Sequence, residues 1–581
     1  MNTSRDTHDP ADKRWRALIA AVLVVLLIAS ACGSDDSADD AGSDDDTSSS
    51  GDADAGSDDS ADNAGSDDEA TFAGRDDDDD DDAMAQETSD VATDSEDAAD
   101  SEESAPTSGL FAGDEPASET EAERLAREQD NFFQEYGVRD FIETSRDPLS
   151  TFALDVDTGS YTITRRWLEE GVMPDPASVR VEEFVNAFDY DYRTPRDGLD
   201  IHVDGGPSPF DEENVIVRIG VQAAVIDDRD RESAALTFVV DTSGSMDRDD
   251  RLGLVKEAIA EMIPELDDDD TVAIVTYGSD SNIVLEPTSV RDDDEIYDAI
   301  DDLRPGGSTN LEAGLRSGYE LADRAYVENG INRVILASDG VANVGNTDPD
   351  ALSREITDRA INGIQLVTIG FGMGNFNDTT MEQLADQGDG FYAYVDTLDE
   401  AERLFEVELV ENLSPIAMDA RIQVEFDEDI VDSYRLIGFE NRGVLDSDFR
   451  NDEVDAGELN SGHTVTAIYE LELDRSVDLE TDRDDLGVVN LRWQDPETRD
   501  WIEIDEEINL RDIEPNWLDT APDFRLATTV AAWADVLRNS PFAEDISLRS
   551  LAEEAELLDD ELRTNQTEEL VDLTWLSHEL A

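Results

Sequence analysis

A chain of 581 residues with 148 Asp and Glu against 41 Lys and Arg carries a formal net charge of −107. That balance argues against nucleic-acid binding, because neutralising phosphates requires basic patches. The length allows several domains, 39% hydrophobic residues is enough for a sizeable core, and a single cysteine excludes an intramolecular disulfide.

The acidic excess is shared between the tail and the rest: residues 33–120 hold roughly a third of it. Lys13 and Lys256 are the only lysines. A Lys-poor, Asp-rich surface fits salty surroundings, where self-repulsion is screened, and it equally fits a GC-rich genome that favours Arg codons.

At the amino terminus Lys13, Arg14 and Arg16 precede an apolar run from Ala17 to Ala31. The run is short for a membrane span and suits a signal-peptide core. It ends Ala29-Ser30-Ala31-Cys32-Gly33, which resembles the bacterial lipobox, with Ala29 where leucine is commoner. The resemblance implies that residues 1–31 are a lipoprotein signal peptide and that Cys32 is diacylated and becomes the first mature residue. An uncleaved signal anchor and an ordinary secretory signal are the alternatives. The expected location is the cell membrane, lipid-anchored on the extracytoplasmic side of a bacterial envelope, since two or three acyl chains hold a protein stably to a bilayer.

Residues 32–120 are Asp, Ser, Ala and Gly with almost no apolar content, including the run Asp76 to Asp82. Such a segment cannot bury enough surface to offset its conformational entropy, so it is read as a disordered acidic tether. As a flexible coil it reaches roughly 50 to 60 Å, and further through self-repulsion. A cation-binding tract is the rival reading.

The stretch 121–231 opens with a helical segment near Glu121 and continues through Ser150-Thr151-Phe152-Ala153-Leu154 and helix-like patterns around Trp167 and Phe184. Asp157-Thr158-Gly159-Ser160 looks like an aspartic-protease turn. That chemistry needs two carboxylates sharing a proton, and the one candidate for the second, Asp241-Thr242-Ser243-Gly244, has serine where glycine belongs.

Between 232 and 412 strand and helix patterns alternate. Ala235 to Val240 is an apolar strand that runs into Asp241-Thr242-Ser243-Gly244-Ser245, followed by an amphipathic helix bearing Leu252, Val255, Ile259, Met262 and Leu266. Thr271 to Tyr277 and Asn282 to Leu285 read as strands, with helices around Ile296 and Leu315 and from Pro349. Asn332 to Ala337 is a strand that runs into Ser338-Asp339-Gly340, and Gln365 to Phe371 and Gly390 to Val395 look like the last two strands. Alternation of this kind predicts an α/β, doubly wound (Rossmann-like) sheet with its site at the strands' carboxyl edge. A nucleotide-binding fold would compete, but no Gly-x-Gly-x-x-Gly or phosphate-loop Gly-Lys follows any of these strands.

An Asp-x-Ser-x-Ser run is by itself often a capping turn. Here Pro305-Gly306-Gly307-Ser308-Thr309-Asn310 adds a hydroxyl at a helix start and Asp339 adds an acid at a second strand end. Asp241, Ser243, Ser245, Thr309 and Asp339 together resemble the metal-ion-dependent adhesion site (MIDAS) of von Willebrand factor type A (vWA) domains, with Ser338 where threonine is commoner. The resemblance implies a divalent cation held by the hydroxyls and, partly through water, by the acids, with a partner's Asp or Glu carboxylate completing the shell. The small, oxygen-only donor set points to Mg²⁺, with Mn²⁺ and Ca²⁺ as the other candidates.

The stretch 413–581 changes to half-buried antiparallel strands, Arg421 to Phe426, His463 to Leu473, Leu486 to Trp493 and Trp501 to Leu510, and ends in a helical pattern from Phe524 to Leu537. The elements of 121–231 resemble the amino-terminal module, and the segment from Asp452 to Glu470 the carboxy-terminal domain, of a family of bacterial vWA lipoproteins. The expected architecture is therefore a vWA domain flanked by a small amino-terminal module and a β-rich domain ending in helices. Asp446, Asp448 and Asp452 lack calcium-loop spacing, so a solvated acidic loop is favoured over a second cation site.

Four scattered histidines make no zinc site, and no nucleophile–base pair is legible. The sequence is read as a non-enzymatic envelope lipoprotein that binds a protein partner through the metal. An envelope scaffold with a structural metal is the alternative, and a hydrolase using Asp157 stands third.

Overall fold

The computed structural model describes residues 133–581 except 212, 227–230, 341–348, 373–376, 406–412, 453, 455 and 480–484. The expected signal segment, Cys32, the tether and the helix near Glu121 lie outside the described residues.

The chain enters through β1 (Ile142–Glu143) and β2 (Leu149–Ala153), forms helices α1 (Gly159–Glu169) and α2 (Val181–Asn186), and continues into β3 (Leu199–Pro207) and β4 (Val215–Ala223). The alternating segment follows as β5 (Ala234–Asp241), α3 (Leu254–Met262), β6 (Thr271–Tyr277), β7 (Ser281–Ser289), α4 (Asp293–Asp301), α5 (Leu311–Ala325), β8 (Ile331–Ser338), α6 (Pro349–Ile361), β9 (Gln365–Phe371), α7 (Asp378–Asp386), β10 (Tyr392–Val395) and α8 (Leu398–Glu402). Strands β11 (Pro415–Phe426), β12 (Val431–Ile437), β13 (Gly457–Asn460), β14 (Thr464–Leu473), β15 (Asp485–Gln494) and β16 (Trp501–Asn509) precede helices α9 (Pro522–Leu537), α10 (Leu548–Leu562) and α11 (Asn565–Leu580).

The alternating segment folds into a six-stranded sheet of order β10-β9-β8-β5-β6-β7, parallel except for the antiparallel edge strand β7. Every residue of β5 is buried, as expected of a central strand covered on both faces. Leu236, Phe238 and Val240 pack with α3, α4 and α8 on one face, while Val239 packs with α5, α6, α7 and α1 on the other. Each such side chain contributes about 1.5–3 kcal/mol on burial. Tight burial on both faces fixes the strand ends, and hence the loops that leave them.

The segments before and after this domain are built together. Strand β4 pairs with β14 from Gln222↔Thr464 to Val215↔Leu471, giving the five-stranded sheet β1-β12-β14-β4-β3. Strand β2 pairs with β11, and β13-β11-β15-β16 forms the facing sheet. Between the two lies a core that includes Val217, Ile219, Ile422, Val424, Tyr469 and Trp493. The outer face of the first sheet is covered by α1, α2 and α9–α11 around Trp533 and Phe184. The two flanks, read separately in sequence, thus form one sandwich into whose chain the parallel-sheet domain is inserted. Strand β4 adds a strand that the sequence analysis does not name, although Val217, Ile219, Val221 and Ala223 alternate there with Arg218, Gly220 and Gln222.

Three arginines of the flanks grip the inserted domain. Arg442 Nε and Nη2 bond Asp155 and Asp157, each at 2.9 Å, and its Nη1 bonds Asp386 of α7 at 2.6 Å. Arg180 reaches Asp378 of α7 at 2.6 Å, and Arg165 of α1 pairs with Asp396 and, at 3.1 Å, Glu400. Ion pairs this buried cost desolvation to form and are costly to break, so they specify the docking more than they add stability.

Candidate metal centre

Asp241 closes β5, and its carboxylate is fully buried. Its Oδ1 accepts the Ser243 N–H at 2.7 Å, and its Oδ2 accepts the Ser338 hydroxyl at 3.2 Å. The first bond is an Asx turn that swings the chain over so that Ser243 and Ser245 face the same way, their Oγ atoms 2.8 Å apart. Two ligands at right angles on an ion about 2.1 Å away stand about 3.0 Å apart, so this spacing suits neighbouring vertices of an octahedron.

The glycine turn before α5 is bonded onto this loop. Gly306 donates to Thr242 O at 2.6 Å, and Gly244 donates to Gly307 O at 3.1 Å. Gly307 has φ +101°, and a Cβ there would lie 3.0 Å from Ser279 N, so both backbone conformation and room call for glycine. Two residues on, Thr309 is buried beside the cap Asn310, whose side chain accepts the Ala313 N–H at 3.2 Å and starts α5. No hydrogen bond joins the Thr309 hydroxyl to the other four residues among those described. Asp339 follows β8, whose Ser338 holds Asp241, so the third segment is also in place.

All five residues thus sit at a strand end or in the loops at one edge of the sheet. Asp241, Ser243, Thr309 and Asp339 are buried, Ser245 is half-buried, and the exposed Gly244, Gly306, Gly307 and Ser308 form the rim. Burial, together with the neighbouring Asp339 charge and against the Ser243 N–H, pushes the Asp241 carboxyl up to about 6. Burial and the Asp241 charge raise the Tyr277 phenol as well. Hard oxygen donors with two carboxylates fit a small divalent cation, whose charge would hold both acids ionised.

Sequence reasoning passed over Arg251. It is 3% exposed, and its Nη1 donates both to Ser245 O at 3.0 Å and to Asp339 Oδ2. A Cβ on Gly372 would fall 2.5 Å from its Nε, so the turn after β9 lies against the guanidinium. The signal available was a second arginine in the otherwise acidic Asp247-Arg248-Asp249-Asp250-Arg251.

The Asp-Thr-Gly turn is a joint. Asp157 Oδ1 accepts the Tyr392 N–H of β10 at 2.8 Å and Oδ2 meets Arg442. β10 lies three strands from β5, about 14 Å at normal spacing, too far for Asp157 and Asp241 to share a proton. In the acidic loop Asp446 accepts from Thr151 at 2.6 Å, Asp448 from Asn451 at 3.3 Å, and Asp452 pairs with Arg492. Among the described residues no cluster of three or more His, Cys, Asp or Glu side chains is arranged to hold a metal. His202 stacks on Tyr192, with centroids 5.1 Å apart, and His463 Nδ1 accepts the Asn460 N–H at 3.3 Å.

The sequence matches the von Willebrand factor type A domain model over residues 235–407, a von Willebrand factor model over 127–218, and the model of the carboxy-terminal part of uncharacterized protein YfbK over 411–580. It is 33% identical to the uncharacterized protein YfbK of Escherichia coli K12 over 463 residues, 76% of this chain and 80% of YfbK. The chain belongs to the YfbK family of vWA-domain proteins. It is also 30% identical over 203 residues to the uncharacterized protein sll0103 of Synechocystis, 35% of this chain and 47% of that one. Among solved structures, the von Willebrand factor type A protein from Catenulispora acidiphila matches at TM-score 0.39 and 16% identity, over 66% of this chain and 91% of that one. Proximal thread matrix protein 1 from the mussel byssus, with a zinc-occupied MIDAS motif, matches at TM-score 0.27 and 24% identity, over 33% and 47%. The inserted domain is the vWA domain, a protein-interaction module, and the sandwich includes the part that matches the YfbK carboxy-terminal model.

Proposed function

We propose that this chain is a cell-envelope lipoprotein, anchored through Cys32, that captures a protein partner with a divalent cation held by Asp241, Ser243, Ser245, Thr309 and Asp339. The observation that carries the reading is the convergence of three separate loops on one oxygen-lined, rimmed site, with the Ser243 and Ser245 hydroxyls 2.8 Å apart. Mg²⁺ is the ion of choice for such a donor set, and a partner's Asp or Glu would supply the open vertex at the rim. The acidic tract 32–120 would then hold the binding domain away from the membrane surface.

The test is calorimetric titration of Mg²⁺ and Mn²⁺ into the full chain, purified in detergent, stripped of metal and kept in high salt, beside Asp241→Ala and Thr309→Ala. Saturable one-site binding that Asp241→Ala abolishes is expected; a wild type that binds neither ion, or binding that survives Asp241→Ala, refutes the metal site. Acyl labelling of wild type but not Cys32→Ser checks the anchor.

A second reading, an envelope scaffold whose metal is structural, is favoured by the burial of the two acids, 0% exposed for Asp241 and 1% for Asp339. Under it, metal removal lowers the melting temperature while carboxylate probes leave metal affinity unchanged.

A further inference from the structure

Arg251 occupies a place in the site that calls for a function. It is buried, bonded to the Ser245 carbonyl and to Asp339, and backed by Gly372. In a chain of net charge −107, a carboxylate-bearing partner meets a net repulsion. By formal charge, Asp241 and Asp339 without Arg251 would neutralise a divalent ion and leave these groups with no net charge to attract a carboxylate. With the guanidinium ion-paired to Asp339, the loaded site keeps one positive charge.

Resting on the metal reading above, we infer that Arg251 sets the charge of the loaded site: it loosens the grip on the metal and strengthens the site's hold on a partner's carboxylate. The two effects have opposite signs, which separates this role from simple support of Asp339. A guanidinium about 6 Å from a divalent ion in a water-like dielectric weakens metal binding about tenfold. The same charge about 6 Å from an incoming carboxylate strengthens its binding about threefold. Both effects grow as the site is shielded from water and shrink in salt.

The experiment uses the metal-stripped full chain in detergent, with Mn²⁺ as the metal, read as free ion by electron paramagnetic resonance. Acetate is the carboxylate probe, read by Mn²⁺-induced relaxation of its methyl protons. Arg251→Gln should bind Mn²⁺ about tenfold more tightly and acetate about threefold more weakly, and Arg251→Lys, which keeps the charge, should stay near wild type. Arg251→Met, which keeps an apolar stem, carries the same expectation as Arg251→Gln should that variant fold poorly. Weaker Mn²⁺ binding in both neutral variants would mean that Arg251 only positions Asp339, and overturns the inference. Mn²⁺ binding that Asp241→Ala abolishes but the neutral variants leave unchanged overturns the inference alone. Binding indifferent to Asp241→Ala overturns the metal reading and the inference with it.

Discussion

Replacing Arg442 by methionine removes the charge that Asp155, Asp157 and Asp386 share while keeping most of the side-chain volume. In the wild type Arg442 spans the seam: Asp155 and Asp157 come from the segment before α1, and Asp386 from the last turn of α7 in the vWA domain. Asp155 and Asp157 are 5% and 3% exposed, so without the guanidinium two carboxylates are left buried side by side. Breaking a buried pair in this way costs about 3–5 kcal/mol, a large part of the roughly 5–15 kcal/mol that holds a domain folded. Urea denaturation of the full chain, followed by tryptophan fluorescence, reads the loss. The Asp157 carboxyl is already raised by burial and by Asp155, with Arg442 opposing. Removing Arg442 raises it further, so the folded variant takes up protons that the unfolded chain releases, and the deficit should narrow as pH falls from 8 towards 5. Arg442→Met combined with Asp155→Asn and Asp157→Asn should return to within about 1 kcal/mol of wild type, because the two buried uncompensated charges are gone and the remaining one, Asp386, reaches solvent. A loss below about 1 kcal/mol for the single variant, or a triple variant no better than the single, would refute this account of the seam.

Wild-type stability should itself depend on pH. Burial, with the Glu440 charge, pushes Glu182 up to about 7, and burial against the opposing Arg180 pushes Glu183 up to about 8. Folded values above the unfolded ones mean stability is lost as pH rises through them, so the melting temperature should climb as pH falls from 8.5 to 5.5, and a flat profile would count against buried protonated glutamates. Gly390→Ala should cost about 3 kcal/mol or more, since its Cβ would sit 2.0 Å from the Leu366 carbonyl oxygen, backbone that has no rotamer to change; an unaltered urea midpoint would contradict that packing. Trp533→Ala, at the centre of the helical layer and hydrogen-bonded to Ser577 at 3.1 Å, should lose about 3–5 kcal/mol in the same assay. Melting temperature should rise between low and molar salt as self-repulsion is screened, and no rise would remove the case for salt adaptation.

The vWA sheet was legible because its strands are local, apolar runs that end in loops of unmistakable composition. β5, β6, β8 and β9 each occupy nearly the residues their hydrophobic runs suggest, and the candidate ligands lie within a few residues of a strand end or a helix start. A site of this kind is written in short segments, so reading it needs only the chain's local chemistry and the knowledge that parallel strands deliver their carboxyl ends to one edge.

The sandwich was not legible as one body for the opposite reason. Its defining pairs are far apart in sequence: β4 meets β14 across the whole inserted domain, Tyr469 donates to Ser150 over 319 residues, and Tyr161 to Glu569 over 408. Nothing in a β-branched run names its partner strand; only shared burial does, and burial is a property of the assembled core. The same limit hid Arg251 and Arg442. An arginine in a chain this acidic reads as one more solvated surface charge, whereas each here is placed by tertiary packing against carboxylates from another segment. Local composition marks where the acids lie along the chain, and only the assembled core shows which buried arginine each of them meets.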